Sequence, residues 1–217
     1  MVGFRLFIFA AQFLFSVLIL GALPISIQGQ SQTMIDDAVD ARADTSALAR
    51  GLSSRDPLVR QRTAESLAHL AATDQKTLVE GYYLEEKNKR VRLALDWARY
   101  RMGKSEALFR IVRELDSSRH DQAVGYLTQL DTPAILYPFL KQEDSPPRII
   151  IGLLETLARI GDANSLEMIK PFRDLFYPGV AEAAETATGQ IERRLTHTQV
   201  PVTTRPRSVN KGDQPSP

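Results

Sequence analysis

The side chains most often used in catalysis and metal binding are scattered along this chain of 217 residues. Its three histidines, His69, His120 and His197, have no second histidine or carboxylate at a spacing typical of metal ligands. Cysteine is absent, which excludes a disulfide, a thiolate zinc site and a cysteine nucleophile. The glycines are isolated and form no phosphate-binding loop. The sequence therefore predicts no catalytic, cofactor-binding or metal site, and a protein that is not an enzyme.

One short stretch concentrates positive charge around Trp97, the only tryptophan, and the neighbouring Tyr100. Its basic residues are Lys87, Lys89, Arg90, Arg92, Arg99, Arg101 and Lys104. Two interpretations are open. Arg92, Asp96 and Arg99 could pair along a solvated helix face, or the stretch could bind an anion beside aromatic anchors. The whole chain carries 27 basic and 26 acidic residues, so its overall charge does not indicate nucleic-acid binding.

The elements that must position these residues are helices, and the clearest one starts at Asp56. An aspartate followed by Pro57 is typical of a helix start, because the carboxylate caps free N–H groups and proline loses no hydrogen bond there. Small and apolar residues then follow at the spacing of one buried helical stripe. They are Val59, Thr63, Ala64, Leu67, Leu70 and Ala71.

The position of Val59 recurs along the chain about every 30 residues, at Val91, Arg119, Ile149 and Val180. Eleven residues after each of these lie Leu70, Met102, Leu130, Ile160 and Ile191. A period near 30 is typical of a solenoid in which each unit contributes two helices. We expect Leu67, Leu70, Leu157 and Ile160 to be core residues of equivalent helices.

Partner helices are predicted between the register helices, at Glu106–Leu115, Pro133–Leu140 and Ser165–Phe176. Pro138 and Pro171 fall inside these patterns, where each is expected to remove a hydrogen bond and bend the helix. The last unit, Val180–Leu195, has the polar outer side of a terminal capping helix.

The D-P-x-V-R residues Asp56–Arg60, with A-x-x-L-x-x-L-A at Ala64–Ala71, resemble the second helix of a HEAT-like repeat of the phycobilisome-lyase type. The resemblance covers about Thr45–Leu195 and implies an all-α fold, an α-solenoid of antiparallel helical pairs, for the domain predicted at residues 33–195. It implies no lyase activity, because the matching residues belong to the scaffold of the repeat.

The two ends of the chain differ from the rest. Residues 1–31 combine Arg5, the apolar run Phe13–Leu23 and small residues near Gly29, which is the pattern of an export signal. An uncleaved membrane anchor is the alternative. Residues 196–217 are rich in proline and poor in apolar residues, which predicts a disordered tail. The folded part is therefore expected outside the cytoplasm, periplasmic or secreted.

A partner is expected on a polar face formed by residues six and ten positions after each register residue. Candidate partner-binding residues on these columns are Glu65, His69, Trp97, Arg101, Gln129, Glu155 and Arg159. Trp97 is either a buried core residue or an exposed anchor for the partner. The predicted function is a non-enzymatic scaffold or adaptor that binds another envelope or secreted protein. A membrane-anchored structural spacer and a lyase-like accessory enzyme are the alternatives.

Overall fold

The computed structural model describes residues 44–141, 145–174 and 177–198. The chain divides into two units, Met1–Asp40 and Ala41–Pro217, and the described residues all belong to the second. The signal peptide or anchor predicted at residues 1–31, and the tail after residue 198, lie outside the described residues. Within the described ranges, no helix has both the length and the apolar character needed to span a bilayer.

The protein is all-α, and every regular element within the described ranges is helical. The first described helix, α1, covers residues 44–49. The α-helices that follow are α2 (Pro57–His69), α3 (Lys76–Glu85), α4 (Lys89–Arg101), α5 (Ala107–Arg113), α6 (His120–Leu127), α7 (Tyr137–Leu140), α8 (Pro147–Ile160), α9 (Ala163–Ile169) and α10 (Pro178–Thr198). Short 3-10 turns lie at Arg50–Ser53, Thr73–Gln75, Glu114–Asp116, Pro133–Leu136 and Lys170–Phe172.

Short polar side chains cap some of the helix starts, including the one that the sequence predicts at Asp56. The carboxylate of Asp56 accepts a hydrogen bond from the backbone N–H of Leu58 at 2.9 Å. The hydroxyl of Thr132 accepts one from the N–H of Ala134 at 3.4 Å, at the start of the 3-10 turn before α7. Each contact satisfies a backbone donor that the first turn of a helix leaves free. The predicted start at Asp56-Pro57 is confirmed, and Thr132-Pro133 begins the 3-10 turn with the same combination of a cap and a proline.

The core lies between successive helices that carry the register positions: α2 packs against α4, and α8 packs against α10. Leu67 of α2 and Leu157 of α8 are both fully buried, so these two predicted core residues are confirmed. Ile160 is partly buried against the same core. Ile191 of α10 is fully buried as well. The periodic apolar stripe therefore identifies the buried face of α2, α8 and α10 correctly.

The ends of the first stripe are where the core prediction is wrong. Val59 and Leu70 are 41% and 56% exposed, whereas their counterparts, Val91 in α4 and Met102 directly after it, are buried. Among the described helices, α4 packs against α2, α3, α5 and α6, while α2 packs chiefly against α4. Fewer neighbours cover the ends of α2, so only the middle of its stripe is buried.

The residue that follows Leu70, Met102 or Ile160 is small in each case, for two different reasons. Ala71 and Gly103 have φ values of +46° and +90°, so both end their helices in the left-handed region. Gly161 has a φ of −62° and is small for another reason. A Cβ there would lie 2.5 Å from the carbonyl oxygen of Leu157 and 2.7 Å from Cδ1 of Ile191. In this column of equivalent positions, the backbone turn explains the small residue at Ala71 and Gly103, and close packing explains it at Gly161.

The predicted partner helices are not continuous at Pro138 and Pro171. Pro138 is the second residue of α7, and Pro171 is the second residue of the 3-10 turn Lys170–Phe172. Each predicted partner helix is divided into a 3-10 turn and a short α-helix. Proline has no backbone N–H for the helical hydrogen bond, which explains a break near each of them; the bend of the helix axis stays a prediction.

The last helix is tied to its neighbour by Arg194. Its guanidinium donates hydrogen bonds to the carbonyl oxygens of Ala158, Arg159 (2.7 Å) and Gly161 (2.8 Å), where α8 ends. A positive charge at this place also interacts favourably with the helix dipole of α8. Helix α10 continues to Thr198, so the predicted boundary after Leu195 falls three residues too early.

Candidate functional site: two polar grooves

The first groove, called here the Trp97 groove, is bounded by α2, α4 and the end of α6. It consists of two adjoining cavities of about 340 and 290 Å³, which share Trp97 and Gln129. The residues that line it are Glu65, Ala68, His69, Trp97, Arg101, Gln122, Gly125, Tyr126, Gln129 and Asp131. Aromatic rings therefore form part of a groove whose other side chains are mostly polar.

Trp97 is the aromatic centre of this groove. Its ring stacks on Tyr126, with the centroids 5.7 Å apart and the planes at 3°, and on Tyr100 at 5.5 Å. Trp97 is only 2% exposed, because the rings of α4 and α6 pack against it. Trp97 is thus a core residue, and its interpretation as an exposed anchor is wrong. An indole so buried forms a rigid base for the groove.

Glu65 is held in place across the groove by Tyr126. The phenol of Tyr126 donates to Oε1 of Glu65 at 2.6 Å, and the side-chain amide of Gln61 donates to the same oxygen at 2.9 Å. Burial and the hydrogen bond to Glu65 raise the pKa of Tyr126, so its phenol stays protonated and remains a donor. Gln122 donates to the phenol oxygen at 2.8 Å. This chain of hydrogen bonds links α2 to α6 and fixes the carboxylate.

The outer part of the groove carries both signs of charge. Arg101 lies over Trp97, with its guanidinium carbon 5.8 Å from the ring centroid, and its Nη1 is 3.6 Å from Oδ1 of Asp131. His69 and Gln129 are exposed at the same groove. These side chains can donate hydrogen bonds to, and accept them from, a polypeptide main chain. Their charges are mixed in sign.

The second groove, called here the α8–α10 groove, lies between those two helices. Its volume is also about 340 Å³. Its polar lining residues are Glu155, Arg159, Glu182, Thr186 and Gln190. Glu155 accepts from Nε2 of His120 at 2.7 Å, while Nδ1 of His120 contacts the carbonyl oxygen of Leu115 at 2.8 Å. These contacts raise the pKa of His120 against the opposing effect of burial.

Asp96 and Arg99 of the charged stretch do not lie on a solvated helix face, which corrects that interpretation for this pair, whereas Arg92 is exposed. Asp96 and Arg99 are 6% and 5% exposed, and Nη1 of Arg99 lies 2.7 Å from Oδ1 of Asp96. Arg99 also donates to Glu80 at 3.0 Å, and Glu80 accepts from Lys104 at 2.9 Å. The predicted pairing of Asp96 with Arg99 is present, but it is buried inside the fold.

The structure brings the seven predicted partner-binding residues together in two groups. Glu65, His69, Trp97, Arg101 and Gln129 line the Trp97 groove, and Glu155 and Arg159 line the α8–α10 groove. Sequence reasoning missed Tyr126 and Gln122. Tyr126 falls one position after the predicted polar column, so counting along the repeat did not select it. The available signal was its hydroxyl, because a buried tyrosine usually needs a hydrogen-bond partner.

Within the described residues, no group of three or more histidine, aspartate or glutamate side chains could hold a metal ion. In comparisons with known proteins, no family model matches this chain. The search of curated proteins likewise finds no significant match.

Proposed function

We propose that this protein is a non-enzymatic scaffold that binds another protein through the concave face of a HEAT-like α-solenoid. One observation carries the proposal. Residues six and ten positions after the register residues, chosen by sequence spacing alone, line the two open grooves. Regular spacing of groove residues on successive helices is the usual basis of binding in repeat proteins.

The chemistry of the grooves favours a polypeptide ligand. Glu65, Gln122 and Gln129 offer acceptors and donors along the Trp97 groove, whose centre is the stacked rings of Trp97 and Tyr126. Such a surface can hydrogen-bond to a main chain and cover an apolar side chain at the same time. The hydrogen bonds that hold Glu65 reduce the entropy lost on binding.

The proposed location is outside the cytoplasm, and it rests on the pattern of residues 1–31 alone. A charged start, an apolar middle and small residues together are typical of an export signal. Mass spectrometry of the mature N-terminus in the native cell tests this directly. A start near residue 31 would support export with cleavage, and an intact Met1 start would favour the membrane-anchored form.

Site-specific photo-crosslinking tests the binding surface. A photoreactive amino acid at Gln129 or Thr186, one in each groove, should crosslink a defined protein in native cells. The same amino acid at Leu84, which is 76% exposed and lines neither groove, is the matched control. Crosslinking from Leu84 alone, or equally from all three positions, would contradict the proposal.

A further inference from the structure

Three arginines surround the buried ring of Tyr83 on α3, and we call this group the Tyr83 arginine cluster. The guanidinium carbons of Arg92, Arg99 and Arg110 lie 4.7, 3.8 and 5.4 Å from the ring centroid. Arg110 also donates a hydrogen bond to the Tyr83 phenol. Tyr83 is 3% exposed, while Arg92 and Arg110 are exposed to solvent. The ring therefore holds three like charges close together, with Arg99 buried and Arg92 and Arg110 at the surface.

Only the innermost arginine of this cluster is paired with carboxylates. Arg99 donates to Asp96 at 2.7 Å and to Glu80 at 3.0 Å, and Glu80 also accepts from Lys104. No carboxylate among the described residues lies within ion-pair distance of Arg92 or Arg110. Asp96 also attracts Arg92 and Arg110 beyond ion-pair distance. Arg92, Arg99, Arg110 and Lys104 thus share the carboxylates of Asp96 and Glu80, which leaves a surplus of two positive charges.

The preceding repeat shows what an arginine at this position can do. Arg60 is the residue after Val59, and Arg92 is the residue after Val91, so the two are equivalent in the register. Arg60 binds the carboxylate of Glu86 through two contacts, Nε to Oε2 at 2.8 Å and Nη2 to Oε1 at 3.1 Å. Arg92 has the same fork of donors, but no carboxylate of the described part of the chain lies within ion-pair distance of it.

We propose that Arg92 and Arg110 form a binding site for a ligand with two carboxylate groups. One carboxylate would take the place at Arg92 that Glu86 takes at Arg60, and the other would bind Arg110. The ligand would neutralise the surplus charge and gain charge-assisted hydrogen bonds in fork geometry. Tyr83 positions both guanidinium groups through its ring and its hydroxyl. This site is separate from the two grooves and does not depend on their function.

Two sources could supply this chemistry, a small dicarboxylic acid or adjacent acidic side chains of a protein. Isothermal titration calorimetry of the full chain at low ionic strength, where screening is weak, tests both. The probes are succinate and the blocked dipeptide acetyl-Glu-Glu-amide. Saturable binding of succinate indicates a small acid as ligand, and binding of the dipeptide alone indicates an acidic segment. Either result supports the site.

Matched variants distinguish a specific binding site from nonspecific electrostatic attraction. Arg92→Ala and Arg110→Ala should each weaken binding at least about tenfold, because each removes one charged fork. Arg90→Ala changes the net charge equally on the same helix but lies outside the cluster, so binding should change less than about twofold. Arg92→Gln keeps most of the side chain and replaces Arg92→Ala if thermal melting shows that variant to be unfolded.

Three results would overturn the proposal. The first is that neither succinate nor the dipeptide binds saturably to the unmodified protein. The second is that Arg90→Ala weakens binding as much as Arg92→Ala does, which would indicate only diffuse attraction. The third is that inorganic phosphate binds more tightly than both dicarboxylates in the same titration.

Discussion

In α4, the residues five and eight positions after Val91 are Asp96 and Arg99, whereas in α8 the same positions after Ile149 are Leu154 and Leu157. All four side chains are buried. The α8 leucines gain stability from burial alone, whereas the α4 pair must recover the cost of desolvating two charges. The cluster around Tyr83 supplies that recovery, with Glu80 bound to Arg99 and the guanidinium of Arg99 over the ring. The same two repeat positions can thus hold either a buried ion pair or two leucines, when the surrounding residues differ accordingly.

The largest expected effect comes from replacing one member of the buried Asp96–Arg99 pair in α4. Arg99→Leu copies the α8 residue but leaves Asp96 buried without its main partner. We expect the free energy of unfolding to fall by about 3–5 kcal/mol, measured by urea denaturation. The double change Asp96→Leu with Arg99→Leu should recover most of this loss, because no buried charge remains in the pair. A double variant as unstable as the single one would show that the surrounding residues require the charges.

On the α8 side, Leu157→Ala should lower the free energy of unfolding by about 2–5 kcal/mol, because it opens a cavity in a fully buried position. Leu70→Ala is the matched control on α2, and its effect should stay within about 0.5 kcal/mol because Leu70 is 56% exposed. Thermal or urea unfolding measures both. Equal effects of the two changes would mean that the assignment of the core stripe is wrong.

The two helices should also differ in their response to pH. Burial raises the pKa of Asp96 to about 6, so the folded state binds a proton more readily than the unfolded state between about pH 4 and 6. Acidification from pH 7.5 to 5 should therefore stabilise the protein through this group, by about 1.4 kcal/mol, because the range covers about one pH unit below the folded-state pKa. The double leucine variant lacks the group and serves as control. A difference in stability between the two proteins that stays constant over this range would contradict the prediction.

That pH range also avoids the opposite effect of two other carboxylates. The ion pairs with Arg99 and Lys104 lower the pKa of Glu80, and the pair with Arg60 lowers the pKa of Glu86. A carboxylate of this kind stabilises the fold above its ordinary pKa, and that contribution is lost as the pH falls through the lowered value. Their effect therefore appears below about pH 4.5, outside the measured range.

The smallest expected effects come from the column of Ala71 and Gly161. Ala71→Gly should raise the free energy of unfolding by about 0.5–1 kcal/mol, because glycine removes the strain of an alanine at φ +46°. Gly161→Ala should lower it, because the new Cβ would clash with the Leu157 carbonyl oxygen. Differential scanning calorimetry resolves both shifts. Changes of the same sign would show that one requirement governs both positions.

Much of the fold could be predicted from local sequence, because helix starts and stripes are local features. The cap at Asp56 and the buried Leu67 and Leu157 follow from residues within one or two turns. The exposure of Leu70 could not be predicted, since it depends on how many helices cover each end of α2. Regular spacing alone also did not indicate that Asp96 and Arg99 would be buried, because charged residues at such spacing usually face solvent.

The candidate site likewise contains residues that could be predicted from the sequence and residues that could not. Glu65, Gln129 and Arg159 could be placed on a groove by counting along the repeat. Tyr126 could not, because its role depends on a hydrogen bond to Glu65, 61 residues away. Counting within one repeat gives no information on a contact of that length.

The contact of Arg194 with the end of α8 has a consequence for local unfolding. If α10 detached, the carbonyl oxygens of Arg159 and Gly161 would lose the guanidinium that binds them, and Gly161 would lose Ile191 as a neighbour. The last turn of α8 should then open with α10 as one cooperative unit. In native-state hydrogen exchange, the Gly161 amide, which donates to Leu157, should therefore exchange with the same opening free energy as the amides of α10.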